Sequence, residues 1–166
     1  LKERTTLAGL IETSDAIFSE IEDVEVMLEL AREESDKGAE QEAAQMLAHL
    51  EKKVKRFSLE ITLDGEDDAR DAIVSINAGA GGTDSQDWAE MLFRMYTRWI
   101  DKKGYKCRII DFQEGDEAGI KGATLHVSGP NCYGFMKAES GVHRLVRISP
   151  FNAGGKRQTS FAAVFV

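Results

Sequence analysis

Leu10, Ser14, Ile17, Ile21, Val24, Leu28 and Ala31 follow one another in alternating steps of four and three, and all but Ser14 are apolar. That spacing keeps them on one face of an α-helix. After Ser35-Asp36-Lys37-Gly38 the rhythm returns as Ala43, Leu47, Leu50, Val54, Phe57 and Ile61. The pattern predicts two long helices folded back at Gly38, an antiparallel, coiled-coil-like hairpin with its acids mostly on the outward faces. Two helices cannot cover both apolar stripes completely. A further helix, from an upstream segment or a partner chain, is therefore expected against them.

From Ala72 the period shortens to two. Ile73, Ser75 and Asn77 alternate with Val74 and Ile76, the signature of a strand. Gly79-Ala80-Gly81-Gly82-Thr83 then leads into a helix, with Thr83 the expected N-cap and Asp84, Asp87 and Glu90 in the first turns, where the macrodipole favours acids. Trp88, Leu92, Met95 and Trp99 recur at helical spacing and are assigned to the face packed on a sheet, the tryptophans as core rather than as base-stacking platforms. Gly104 ends the helix. Alternation predicts further strands over 105–112 and 121–128, a short helix over 133–138, and a closing hairpin from Val142–Ile148 and Thr159–Val166. The fold class is α+β: an N-terminal antiparallel helical hairpin, then a mainly antiparallel sheet packed on one long helix. The expected domains are 1–69, helical, and 70–166, α+β and incomplete at its C-terminal end.

Charge sharpens the division. Residues 1–70 carry 9 Lys/Arg against 19 Asp/Glu, whereas the remainder carries 12 against 10, so a whole-chain net of -8 conceals a mildly basic second part. No apolar run approaches the roughly 20 residues that span a bilayer. Cys107 and Cys132 have neither CxxC nor metal-ligand spacing with His49, His126 or His143, and are expected to be reduced, partly buried thiols of a cytoplasmic protein. No metal site, cofactor site or catalytic arrangement stands out.

The basic excess concentrates in Gly141–Val166, which holds His143, Arg144, Arg147, Lys156 and Arg157 and no acid. The four Lys/Arg bracket a loop containing Pro150, Gly154 and Gly155, with Ser149, Asn152, Gln158, Thr159 and Ser160 around it. Such a patch on an acidic chain points to a polyanion, and short hydroxyl and amide side chains are of the kind that read base edges. A solvated hairpin loop is the plain alternative. The glycine-rich turn before Thr83 offers a helix N-terminus to an anion, or is a tight turn needing small residues. It lacks the Lys and Ser/Thr of a P-loop and the spacing of a dinucleotide fingerprint.

The run Gly79-Ala-Gly-Gly-Thr-Asp-Ser-Gln-Asp-Trp-Ala-Glu-Met-Leu-Phe-Arg-Met-Tyr-Thr-Arg-Trp99 resembles the bacterial class I peptide chain release factors, as do Ala118–Lys121, Tyr133-Gly134 and Gly141–Arg147. Ser149-Pro150-Phe151, followed by 154–161, is similar to the members of that family that read UGA and UAA. The resemblance covers essentially the whole chain, with its motifs in the family's order. It implies that residues 70–166 form a codon-recognition domain, with the small-subunit decoding centre and an mRNA stop codon as partners, no DNA or membrane partner, and no cofactor.

By the same resemblance, Ser149 would bond a purine at the second codon position, Pro150 and Phe151 would shape the loop, and the helix start from Gly81 to Asp84 would read the first uridine. The third base would be read near Thr159, while Arg144, Arg147, Lys156 and Arg157 would meet RNA phosphate. Two positions depart from the family. Gln158 stands where a stacking histidine is common, and its amide lacks an aromatic face. Asp84 stands where glutamate is frequent and is one methylene shorter. Release factors trigger hydrolysis through a Gly-Gly-Gln loop, and no such tripeptide occurs in Leu1–Val166. The implied function is stop-codon recognition by a non-enzymatic release-factor fragment. The alternative is an RNA- or ribosome-binding protein of the same fold without stop-codon specificity.

Overall fold

α1 (Lys2–Glu33) and α2 (Lys37–Thr62) form where the apolar stripes predict them; the α1 stripe is buried or half-buried throughout, whereas only part of the α2 stripe is covered. Ile17, Val24 and Ala31 are buried on α1, and Ala43 and Leu50 on α2, with Phe57 half-buried. Each set repeats every seven residues, the seam of a coiled coil. Leu47, Val54 and Ile61, which share the predicted α2 stripe, are exposed. A single facing helix is too narrow to cover both rows. Across the seam, Lys53 Nζ bonds Glu20 Oε1 at 2.5 Å.

The chain turns back before Gly38, through residues 34–36, with Ser35 in a left-handed conformation at φ 55°. Asp36 begins the second helix: its Oδ1 accepts the Gly38 and Ala39 N–H groups at 2.7 and 3.2 Å. An Asp there satisfies amides that have no intrahelical carbonyl. The computed structural model describes residues 2–166, and of Lys2, Glu3 and Thr6 the backbone alone.

The chain divides into two compact units, Leu1–Thr62 and Leu63–Val166. The expected break was at 69/70, yet residues 63–69 belong with the second unit. Asp68 accounts for this. It is buried, its carboxylate takes a 2.6 Å bond from Lys137 Nζ and one from the Gly65 N–H, and its backbone carbonyl accepts from the Gly134 N–H at 3.1 Å.

The second unit is a five-stranded antiparallel sheet in the order β2-β3-β1-β5-β4. Its strands are β1 (Ala72–Ala78), β2 (Lys106–Glu114), β3 (Ile120–Ser128), β4 (Gly141–Ile148) and β5 (Arg157–Phe165). A short helix α4 (Cys132–Met136) and one 3-10 turn (Lys137–Glu139) precede β4. The long helix α3 (Thr83–Lys103) covers one sheet face, enclosing Val74, Ile76, Leu92, Ile100, Leu125, Val127 and Val164.

The buried row of α3 is Ser85, Ala89, Leu92, Tyr96 and Ile100, rotated from the expected one. Met95 is exposed, and Trp88 and Trp99 flank the core half-buried. Ser85 and Ala89 are the small members of that row, at the N-terminal half of the helix, and the two indoles lie beside it. Trp88 then bonds the sheet directly, its indole N–H donating to the His143 carbonyl at 3.0 Å.

Gly104 ends α3 in the left-handed region at φ 71°. Both cysteines are free thiols; Cys132 is buried, but Cys107 is exposed on β2 rather than partly buried, because β2 is a sheet edge. Among the described residues no helix is long and apolar enough to cross a membrane, and no cluster of three or more metal-type side chains occurs.

Candidate functional site

α3 starts without a side-chain cap. Its N-cap position is Gly82, at φ 58° and ψ -136°, and Thr83 is the first helical residue instead of the cap. A β-branched residue does not tolerate that backbone, and Gly81, at φ 136°, also lies in the positive-φ region. A Cβ on Gly81 would come within 3.2 Å of Ser85 Cβ and 3.3 Å of Ser160 Oγ, so the turn lies close against β5. The helix start is thus held tightly, while no side chain occupies its first amides.

A second loop buttresses it. Gln86 Oε1 accepts the Asp116 N–H at 3.3 Å, and Thr83 Oγ1 donates to Glu117 Oε2 at 3.0 Å. Gly119, at φ 70°, lies so near that a Cβ would stand 2.2 Å from the Gln86 backbone carbonyl. The turn between β2 and β3 therefore fixes the α3 N-terminus from the side opposite the β4–β5 hairpin.

Asp84 and Asp87, three residues apart, share a helical face. Both meet Arg147 from β4: its Nη2 lies 2.5 Å from Asp87 Oδ2 and 3.5 Å from Asp84 Oδ1. Arg147 Nη1 also points at the Met91 sulfur at 3.6 Å, while its Nε is buried with no hydrogen-bond partner among the described residues. Asp84 Oδ2 accepts a 2.6 Å bond from Ser149 Oγ, which in turn accepts the Phe151 N–H at 3.1 Å. Ser149 is 3% exposed, so its hydroxyl is enclosed and does not stand open to solvent at the loop. Proline at 150 and the Asp84 carboxylate together fold the serine inward.

The residues expected to act together separate into two groups. Alternation along the paired strands puts Arg147, Ser149 and Gln158 on the face toward α3, with Gly81 and Asp84. Arg144, Arg157 and Thr159 are exposed and alternate onto the other face. Pro150, Phe151 and Lys156 line the exposed turn, whose frame is a Ser149 N–H bond to the Lys156 carbonyl at 3.3 Å and a Gly155 N–H bond to the Asn152 carbonyl at 3.0 Å.

Of the four cations assigned to phosphate, Arg147 is engaged by carboxylates, whereas Arg144, Lys156 and Arg157 stand in solvent. Asp87, Gln86 and Met91 were not singled out as site residues from sequence. The signal for Asp87 was its i, i+3 relation to Asp84 opposite a strand arginine; for Gln86 and Met91 the sequence carried none.

A hydroxyl has one proton and two lone pairs. Ser149 commits its proton to Asp84 and one lone pair to Phe151, which leaves one acceptor position. The exposed phenyl of Phe151 is a flat surface at the tip beside it. An uncapped helix start, one oriented hydroxyl, an amide and flanking cations make a surface able to take an unpaired base and its phosphate.

Comparison with known proteins bears on that surface. The PCRF domain family matches residues 1–164. The chain is 54% identical over 165 residues, 99% of its length, to Peptide chain release factor 2 of Petrotoga mobilis, and 49% identical over 166 residues to that of Roseobacter denitrificans. The solved structure of RF2 of Thermus thermophilus superposes with a TM-score of 0.68 at 38% identity, covering 99% of this chain and 47% of that one. The chain spans 44% of the length of each of these two curated relatives.

Proposed function

This chain belongs to the peptide chain release factor family, and we propose that it is the part of such a factor that reads the stop codons UGA and UAA in the decoding centre of the ribosome. The observation that carries the reading is the 2.6 Å bond from Ser149 to Asp84, which joins the Ser149-Pro150-Phe151 turn and the α3 N-terminus into one site. The resemblance assigns the second codon base to the first of these elements and the uridine to the second.

In this reading the uncapped amides at Gly81–Asp84 match the polar edge of uracil, in a turn too close to β5 for a larger base. Ser149 offers its remaining lone pair to a donor on the second purine, and adenine and guanine both carry one on the Watson–Crick edge. Because Ser149 is 3% exposed, the base reaches it only when the turn around Phe151 moves aside. Two backbone hydrogen bonds frame that turn, and its Phe151 and Gly154 N–H groups bond the Ser149 and Asn152 side chains; with no buried apolar side chain in it, it is a segment that opens locally. Gln158 bonds or covers the next base with its amide plane, and Thr159, on the other face, is reached by a strand that crosses the hairpin edge. Arg144, Lys156 and Arg157 supply phosphate contacts that position the RNA without reading it. Arg147 acts instead as a positioning residue, holding Asp84 and Asp87 in place.

The test is equilibrium binding of this chain to ribosomes with UGA, UAA, UAG or a sense codon in the A site. Tighter binding at UGA and UAA is expected. Equal binding at all four would establish the alternative, a ribosome-binding protein without stop-codon specificity.

A further inference from the structure

α3 carries a second charged surface, which the hairpin loop does not include. Arg94, Arg98 and Lys102 follow at intervals of four, so they form a row along one side of the helix with about 6 Å of rise between neighbours. All three are exposed. Like charges at i, i+4 repel and cost helix stability unless an anion lies between them. Here none does: no carboxylate among the described residues lies within ion-pairing distance of any of the three. Glu90, four residues before Arg94, and Asp101, three after Arg98, are near enough in sequence to pair with them and do not. A chain with 29 acids leaves this row uncompensated.

The row borders an open groove formed by Met91, Arg94, Met95 and Arg98. Met95 is 47% exposed, so the groove floor is apolar and deformable. At its N-terminal end the groove meets the candidate site, because the Met91 sulfur there is the atom Arg147 Nη1 approaches. Whatever reaches the decoding surface at that end has a continuous path onto the row.

We propose that Arg94, Arg98 and Lys102 bind the phosphate backbone of ribosomal RNA, extending the RNA-binding surface along the outer side of α3, away from the codon. The proposal rests on the ribosome-binding reading above. A row of cations at regular spacing suits a polymer with a charge on every unit. The guanidinium forks are suited to bidentate phosphate contacts, and the methionines accommodate ribose or base faces that pass between them. Such contacts strengthen binding equally at every codon, since they lie outside the base-reading residues.

The test uses this chain and ribosomes carrying UGA or a sense codon, with binding measured across a salt series. The Arg94→Gln/Arg98→Gln pair is expected to weaken binding by the same factor at both codons and to lower the magnitude of the log–log salt slope by about 2, roughly one per phosphate lost. The Arg94→Lys/Arg98→Lys pair should restore most of the slope. Thermal melts should show the Gln variant folded and no less stable, because repulsion is relieved. An unchanged affinity and slope for the Gln variant would overturn the proposal. So would a loss confined to one codon, a weaker affinity with no change in slope, or a Lys variant as impaired as the Gln variant. Should the unaltered chain not bind ribosomes at all, the ribosome-binding reading falls, and this proposal with it.

Discussion

At single residues, what matters is which partner each polar atom already has. Ser149 is buried and bonded to Asp84, so its hydroxyl bears on folding as well as on codon reading. Ser149→Ala is therefore expected to cost about 1 kcal/mol of folding stability and, in ribosome binding, to reduce the preference for UGA and UAA over sense codons roughly tenfold or more. A stability loss with intact codon preference would make the serine a structural strand-end residue. Arg147 and Arg157, equivalent in composition, diverge for the same reason. Arg147→Ala leaves Asp84 and Asp87 facing each other with side chains 14% and 19% exposed, and denaturant titration should show a loss of roughly 1–2 kcal/mol. Arg157→Ala should fall within about 0.5 kcal/mol of the unaltered chain. At Asp68, the Lys137 ammonium and the Gly65 N–H hold the carboxyl below its ordinary value of 3.8, against the opposing effect of burial. A depressed carboxyl contributes stability that is present above pH 3.8 and is lost as pH falls through the lower folded value. Asp68→Asn should thus melt earlier than the unaltered chain at pH 7, with the gap narrowing in melts taken below pH 3.8.

For helices and strands, period decides what a sequence discloses. The strands were legible because alternation of two survives burial on one face; Val74 and Ile76 lie inward and Ile73 outward as their spacing requires. The helices were legible as elements, and the covered row of α1 with them, but the buried rows of α2 and α3 only in part. On α3 the apolar series through Trp88 and Trp99 is displaced from the row that meets the sheet, which takes Ser85 and Ala89 in its N-terminal half and leaves the two indoles beside it. The cap was misplaced on Thr83 because a positive φ at Gly82 is a tertiary demand, set by the contact of the turn with β5. The same holds for the β2–β3 turn, whose part in fixing α3 depends on pairings far apart in sequence and left no local trace. Gly119 makes this testable. A Cβ there would meet the Gln86 backbone at 2.2 Å in a left-handed conformation, whereas a Cβ on Gly82 meets nothing within 4 Å and has the unfavourable φ alone. Urea unfolding should show Gly119→Ala losing about 3 kcal/mol or more and Gly82→Ala about 1 kcal/mol. Equal losses would mean that the β2–β3 turn does not brace the helix start.

Over the whole molecule, charge and chemistry are divided between two units. The acidic excess of residues 1–70 set against the mildly basic remainder indicated the division, while the buried Asp68 moved its edge to Thr62. The proposed recognition chemistry, the Ser149 turn, the α3 start and the row Arg94, Arg98 and Lys102, lies wholly in the second unit. Reading a codon requires only binding energy and fit. Releasing a peptide requires a group that positions water at the ester, and in the family that belongs to a Gly-Gly-Gln loop. These 166 residues contain no such tripeptide. The 166-residue chain is therefore expected to liberate no labelled peptide from ribosomes halted at UGA, at any concentration. It should instead inhibit a complete release factor at UGA competitively and saturably, with little effect on elongation at sense codons. The measurement is release rate against chain concentration at fixed factor. Stop-dependent release by the chain alone would show that recognition and hydrolysis are not separable here. An absence of competition at saturating chain would show that the second unit does not occupy the site a release factor uses.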